Sequence, residues 1–97
     1  MKRSVDFQPA AQSEIQHAFT WYETQRTGLG AEFLRAVATA RDQLARNAER
    51  YPTTLGAFRW VKLRRFPYAL HFDFNSDCVR VHACLHFRQS PARWPGA

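Results

Sequence analysis

The sequence predicts an α+β domain in which a helix hairpin packs on one face of a small antiparallel sheet, in the order β-α-α-β-β-β. Three observations predict it. Apolar residues recur at helical spacing in two adjacent stretches of the first half. They alternate at period two in three stretches of the second half. The chain has 97 residues, the size of a single domain spanning 1–97.

Ser4–Phe7 opens the chain as a short strand, with Val5 and Phe7 on one side. Pro9 suits the first turn of a helix, where its missing N–H leaves no bond unmade. Ala11, Ile15, Ala18, Phe19 and Tyr22 then set a helix from Pro9 to about Arg26. Gly28-Leu29-Gly30 breaks it, because glycine accepts the left-handed backbone that ends helices. A second helix runs from Leu29 to about Arg50. Its apolar face is Phe33, Val37, Ala40, Leu44 and Ala48; Glu32, Arg35, Asp42, Arg46 and Glu49 lie opposite as mixed, solvated surface. Tyr51-Pro52 stops it. A connection this short makes the two helices antiparallel.

Three strands follow, at Phe58–Arg64, Ala69–Asn75 and Cys78–His86, separated by Phe66-Pro67-Tyr68 and Asn75-Ser76-Asp77. Short turns make consecutive strands antiparallel. With the aliphatic sides taken as buried, the uncovered face displays Trp60, Lys62, Arg64, His71, Asp73, Arg80, His82, Cys84 and His86. The tail after His86, with two prolines and a glycine, reads as irregular, and Trp94 is expected to fold back on the domain.

A composition of 45% hydrophobic and 23% charged residues excludes wholesale disorder. Charge is unevenly placed. Up to Ala57, seven Lys and Arg face six Asp and Glu, a net of +1; from Phe58 onward seven face two, a net of +5. That favours a polyanionic partner for the second half, either nucleic acid or an acidic protein. No apolar run is long enough to span a membrane, and the first residues lack a secretory signal, so a cytoplasmic location with reduced thiols is expected.

Histidine and cysteine offer little chemistry. His82 and His86 are four apart, which on a strand separates them by roughly 13 Å, too far to share a metal ion. Cys84 lies between them, but a small buried cysteine is commoner than an activated thiolate. Cys78 and Cys84 are roughly 20 Å apart along one strand, beyond disulfide reach. Neither a metal nor another cofactor is expected. The strongest cluster is Arg59-Trp60-Val61-Lys62-Leu63-Arg64-Arg65, with Arg80, His86 and Arg88 beside it in space. Such groups hold phosphates, and Trp60 can stack on a base; an acidic protein would dock on the same strip equally well.

The segment Arg64 to Leu70 resembles the R-F-P-Y stretch of RelE/ParE-type toxins. Gly28 to Phe33, His86 to Trp94, Phe7 to Ala11 and Trp21-Tyr22-Glu23 resemble further family segments, in the right order over nearly the whole chain. The resemblance implies a RelE/ParE-like fold and the toxin role of a type II toxin–antitoxin system. An acidic antitoxin is then the partner, in a toxin–antitoxin hetero-oligomer. It also implies one of two targets: DNA gyrase, for ParE-like members without a hydrolytic centre, or mRNA in the ribosome, for RelE-like endoribonucleases. Lys62 matches a lysine of the second branch and His86 can serve as its late histidine, with Arg64, Arg65 and Arg88 completing a catalytic set. Two departures favour the first branch. Ala69 stands where RelE-like enzymes tend to carry an arginine, and Trp94 stands about where they carry a tyrosine. The expected binding surface for target or antitoxin is Arg59, Trp60, Lys62, Arg64, Arg80, Arg88 and Trp94.

Overall fold

Residues 2–53, 56 and 58–89 are described by the structure, a computed structural model. Strand β1 (Ser4–Phe7) leads directly into helix α1 (Pro9–Gln25), with Pro9 in its first turn. Ala11 and Ala18 of α1 are buried, and Ile15 and Tyr22 pack against the same core. Gly28, at φ 92°, turns the chain into helix α2 (Leu29–Asn47). No side chain of the turn caps this helix. Glu23 of α1 does so instead: its carboxylate accepts the N–H groups of Gly28 at 3.0 Å and Gly30 at 2.9 Å. Two donors without helical partners are thereby satisfied, and a negative charge sits at the positive end of the helix. At Gly30 the two helices approach so closely that a Cβ would lie 2.8 Å from the Phe19 ring.

The expected apolar face of α2 is the buried one: Phe33, Val37, Ala40 and Leu44 all face the core. Its last expected turn, Ala48–Arg50, tightens into a 3₁₀ turn before Pro52. Strands β2 (Arg59–Lys62), β3 (Tyr68–Phe74) and β4 (Cys78–His86) form the antiparallel meander. β1 adds to the outer edge of β4 in parallel, so the sheet is mixed, with spatial order β1-β4-β3-β2. Turns force the three later strands to alternate in direction. β1 reaches its neighbour only through the rest of the chain and is under no such constraint. Among the described residues, no helix is long and apolar enough to cross a membrane.

Four aromatic rings join the layers. Tyr22 of α1 and Phe33 of α2 stack at 5.4 Å, and Phe66 meets them edge-on at 4.9 and 5.3 Å. Tyr68 closes the cluster 5.4 Å from Phe33. The backbone joins in: the Pro67 carbonyl accepts the Phe87 N–H at 3.0 Å. The Phe66-Pro67-Tyr68 segment is thus a packing device that fixes the turn between β2 and β3 against both helices.

One irregularity changes the surface. Phe72 pairs with Val81 but His71 pairs with Ala83, so His82 is an extra residue in β4. This β-bulge inverts the alternation beyond it. Val79, Val81 and Cys84 face the helices and belong to one core with Leu70 and Phe72. Ala83 and Leu85 pair with His71 and Ala69 on the opposite face. The expected grouping of Val79, Val81, Ala83 and Leu85 on one side, and of Cys84 and His86 with Arg80 on the other, is therefore corrected. His71 does lie on the face away from the helices, as expected, but it is 1% exposed rather than displayed.

Candidate functional site

The basic strip that is continuous in sequence is divided into separate surfaces. Arg59 donates from one guanidinium nitrogen to the carbonyls of Glu49 and Tyr51, and its guanidinium lies over the Phe74 ring, 5.5 Å from the centroid. It holds the end of the 3₁₀ turn onto the sheet. Lys62 turns back on its own loop, its Nζ donating to the Leu63 carbonyl at 2.9 Å and the Phe66 carbonyl at 3.5 Å. Both side chains are engaged with backbone oxygens.

On the face away from the helices, Trp60 pairs with His71 and meets the exposed Phe87 edge-on at 6.2 Å. Farther along, the Asp73 carboxylate accepts from His82 Nε2 at 2.7 Å, and Arg80 Nε lies 3.6 Å from the same oxygen. The bulge makes this possible by turning His82 toward Asp73. Arg80 is therefore partly neutralised. Arg64 and Arg65 lie in the turn between β2 and β3, where Arg65 meets Glu32 of α2 at 3.4 Å. Trp94 lies outside the described residues.

His86 is found on the helix side, in a groove between α1 and the end of β4. Two adjoining depressions of about 480 and 500 Å³ share Trp21, Tyr68 and His86. Glu14 and His17 line one and Arg88 the other. Trp21 is 57% exposed, the most exposed large apolar side chain among the described residues. His86 is held firmly. Its N–H donates to Gln89 Oε1 at 2.7 Å, and its Nδ1 accepts the Arg88 N–H at 2.9 Å. That bond leaves the proton of the neutral ring on Nε2. Tyr68 packs edge-on against the ring at 5.1 Å, and burial holds the Tyr68 phenol above its ordinary pKa.

The surroundings of Cys84 disfavour a thiolate. Burial, and then the nearby Glu14 carboxylate, push its thiol up to about 12. His82 and His86 diverge, one bonded to Asp73 on one face and the other lining the groove on the opposite face.

The candidate ribonuclease set is accordingly dispersed. His86 and Arg88 line the groove beside α1; Arg64 and Arg65 border α2; Lys62 closes its own turn. The groove residues Glu14, His17 and Trp21 are not on the binding surface expected from the sequence. Their spacing of three and four puts them on one stripe of α1, which is the signal that marks them.

A helix hairpin on one face of a four-stranded mixed sheet, with β1 parallel to β4 at its edge, is a fold this chain shares with a solved protein. Among solved structures, a chain described as "Chromosomal ParDE TA system from P. aeruginosa" superposes on this one with a TM-score of 0.77, covering 88% of this chain and 96% of that chain at 12% sequence identity. No protein-family model matches the sequence, and no curated protein matches it.

Proposed function

We propose that this chain is the toxin of a type II toxin–antitoxin system, ParE-like, which inhibits growth through DNA gyrase and is neutralised by an acidic antitoxin. The observation that carries the reading is the fold, likened over nearly the whole chain to a chain of a ParDE system. The net charge of +5 from Phe58 onward supplies the electrostatic reason for an acidic partner. The choice of gyrase over mRNA is supported by the dispersal of Lys62, Arg64, Arg65 and His86 onto separate surfaces. A phosphodiester-cleaving centre needs its acid, base and charge-stabilising groups around one reacting atom.

A second reading, a RelE-like endoribonuclease, is favoured by one feature: the groove that gathers His86, Arg88, Tyr68 and His17 around an exposed Trp21. A third is a non-toxic module that retains only antitoxin binding.

Expression from a tightly controlled promoter separates them. Loss of plasmid supercoiling with intact messages supports the gyrase reading. Codon-positioned cuts in mRNA, abolished by His86→Ala, would replace it with the ribonuclease. Unimpaired growth would leave the binding module.

A further inference from the structure

Another depression, about 350 Å³, lies between α2 and the β2–β3 turn. Arg35 and Thr39 of α2 form one wall, Arg64 and Arg65 the other, and Phe66 and Ala36 add apolar surface. Glu32 stands at its edge. One of its oxygens meets Arg65 at 3.4 Å and the other meets Arg26 at 3.1 Å. Among the described residues, no ion pair engages Arg35 or Arg64. Three guanidinium groups thus line a cleft whose single carboxylate is already shared with a fourth.

From this geometry we infer that the cleft receives the carboxylate side chains of an acidic segment of a partner protein. The inference rests on the antitoxin reading above and assigns that partner a specific seat. A phosphate group fits less well. Phosphate sites draw on free backbone N–H groups at helix N-termini or turns. The α2 wall of the cleft, residues 32–39, lies mostly in the interior of the helix, where the N–H groups are used by the helix, so that wall offers a phosphate none. The Thr39 hydroxyl donates to the Arg35 carbonyl at 3.0 Å, so its hydrogen is committed. What remains is a set of planar guanidinium forks, which match carboxylates and phosphates alike; the apolar surface of Ala36 and Phe66 beside them favours a glutamate, whose methylene stem it can cover.

Arg65 carries independent support. Its φ of 69° is the only left-handed backbone at a non-glycine residue among those described. Glycine would relax that conformation. A residue kept there despite its backbone cost points to a use for its side chain.

The test is an NMR titration of the full ¹⁵N-labelled chain with two probes, an acetylated hexaglutamate amide and inorganic phosphate. The peptide is expected to shift the side-chain N–H signals of Arg35, Arg64 and Arg65. The paired change Arg35→Gln and Arg64→Gln should weaken its binding roughly tenfold or more, as expected for lost charge-assisted bonds. Arg46→Gln, on α2 outside the cleft, should change it less than about twofold. Arg65→Gly separates binding from folding: it should weaken the peptide while leaving the melting temperature equal or higher. Phosphate binding at least as tightly as the peptide, or peptide shifts centred elsewhere, would overturn the inference. The growth assay is read separately. A chain that is not toxic but seats the peptide here sinks the toxin reading and keeps the cleft; a toxic chain that fails to seat it does the reverse.

Discussion

Glu23 does work at a distance that its place in α1 does not advertise. Its carboxylate holds two backbone N–H groups at the start of α2, where the N-cap residue itself makes no side-chain cap. Glu23→Ala should cost about 1–2 kcal/mol, the range for a lost helix cap, read as a lower urea midpoint. An unchanged midpoint would show that water caps the helix as well as Glu23 does. Cys84 is governed by burial in the same way that Glu23 is governed by position. With its thiol pushed up to about 12, it holds almost no thiolate at pH 8. Only the half-buried Cys78 should then react with a thiol reagent in the native protein, and Cys84 should react once the chain is unfolded. Two fast-reacting thiols in the native state would contradict this packing.

Among the elements, β3 carries a pH response through His71. Burial pushes the His71 imidazole down to about 4. The sign follows from which state takes the proton first. As pH falls below about 6.5, the unfolded chain binds a proton that the folded chain refuses, so stability declines. The decline continues to about pH 4 and then levels, with an upper bound of about 3.5 kcal/mol at roughly 1.4 kcal/mol per pKa unit. In His71→Gln the slope of the urea midpoint between pH 6.5 and 4 should be visibly shallower. The bulge makes a separate prediction. Deleting His82 restores plain alternation while keeping Val81 and Cys84 on the helix side, so the deletion should fold with the same strand pairing. Leu44→Ala, at the buried centre of α2, should instead cost about 2–5 kcal/mol.

For the molecule as a whole, the question is which charges a partner meets. Arg59 and Lys62 are tied to backbone carbonyls, so reversing them would test folding more than recognition. Arg64, Arg80 and Arg88 are exposed. Their joint reversal to Glu should slow association with the proposed antitoxin about tenfold at low salt and flatten its salt dependence, since exposed charges mainly steer encounter. Stopped-flow mixing at two ionic strengths measures both. An association rate equal to that of the wild type would move the interface to the helix hairpin, where Trp21→Ala should then leave the association rate unchanged and raise the dissociation constant.

By itself the sequence determined the elements, their order and the hairpin of helices. Those follow from local periodicity: Phe33, Val37, Ala40 and Leu44 mark one face of a helix whatever surrounds it, and β1 and β4 begin and end where the pattern places them. Tertiary structure alone decided which side chains share a surface. An extra residue at His82 is invisible in the alternation of β4, because a bulge is defined only by the partner strand. It moved Cys84 and His86 to the helix side and brought His82 to Asp73. Long side chains made the remaining choices. Arg59 and Lys62 found carbonyls within reach, while Glu32 and Arg35, solvated surface by their helical spacing, met Arg64 and Arg65 from a turn some thirty residues away. Such pairings depend on which backbone segments the fold brings together, and that is a property of long-range packing rather than of any local stretch.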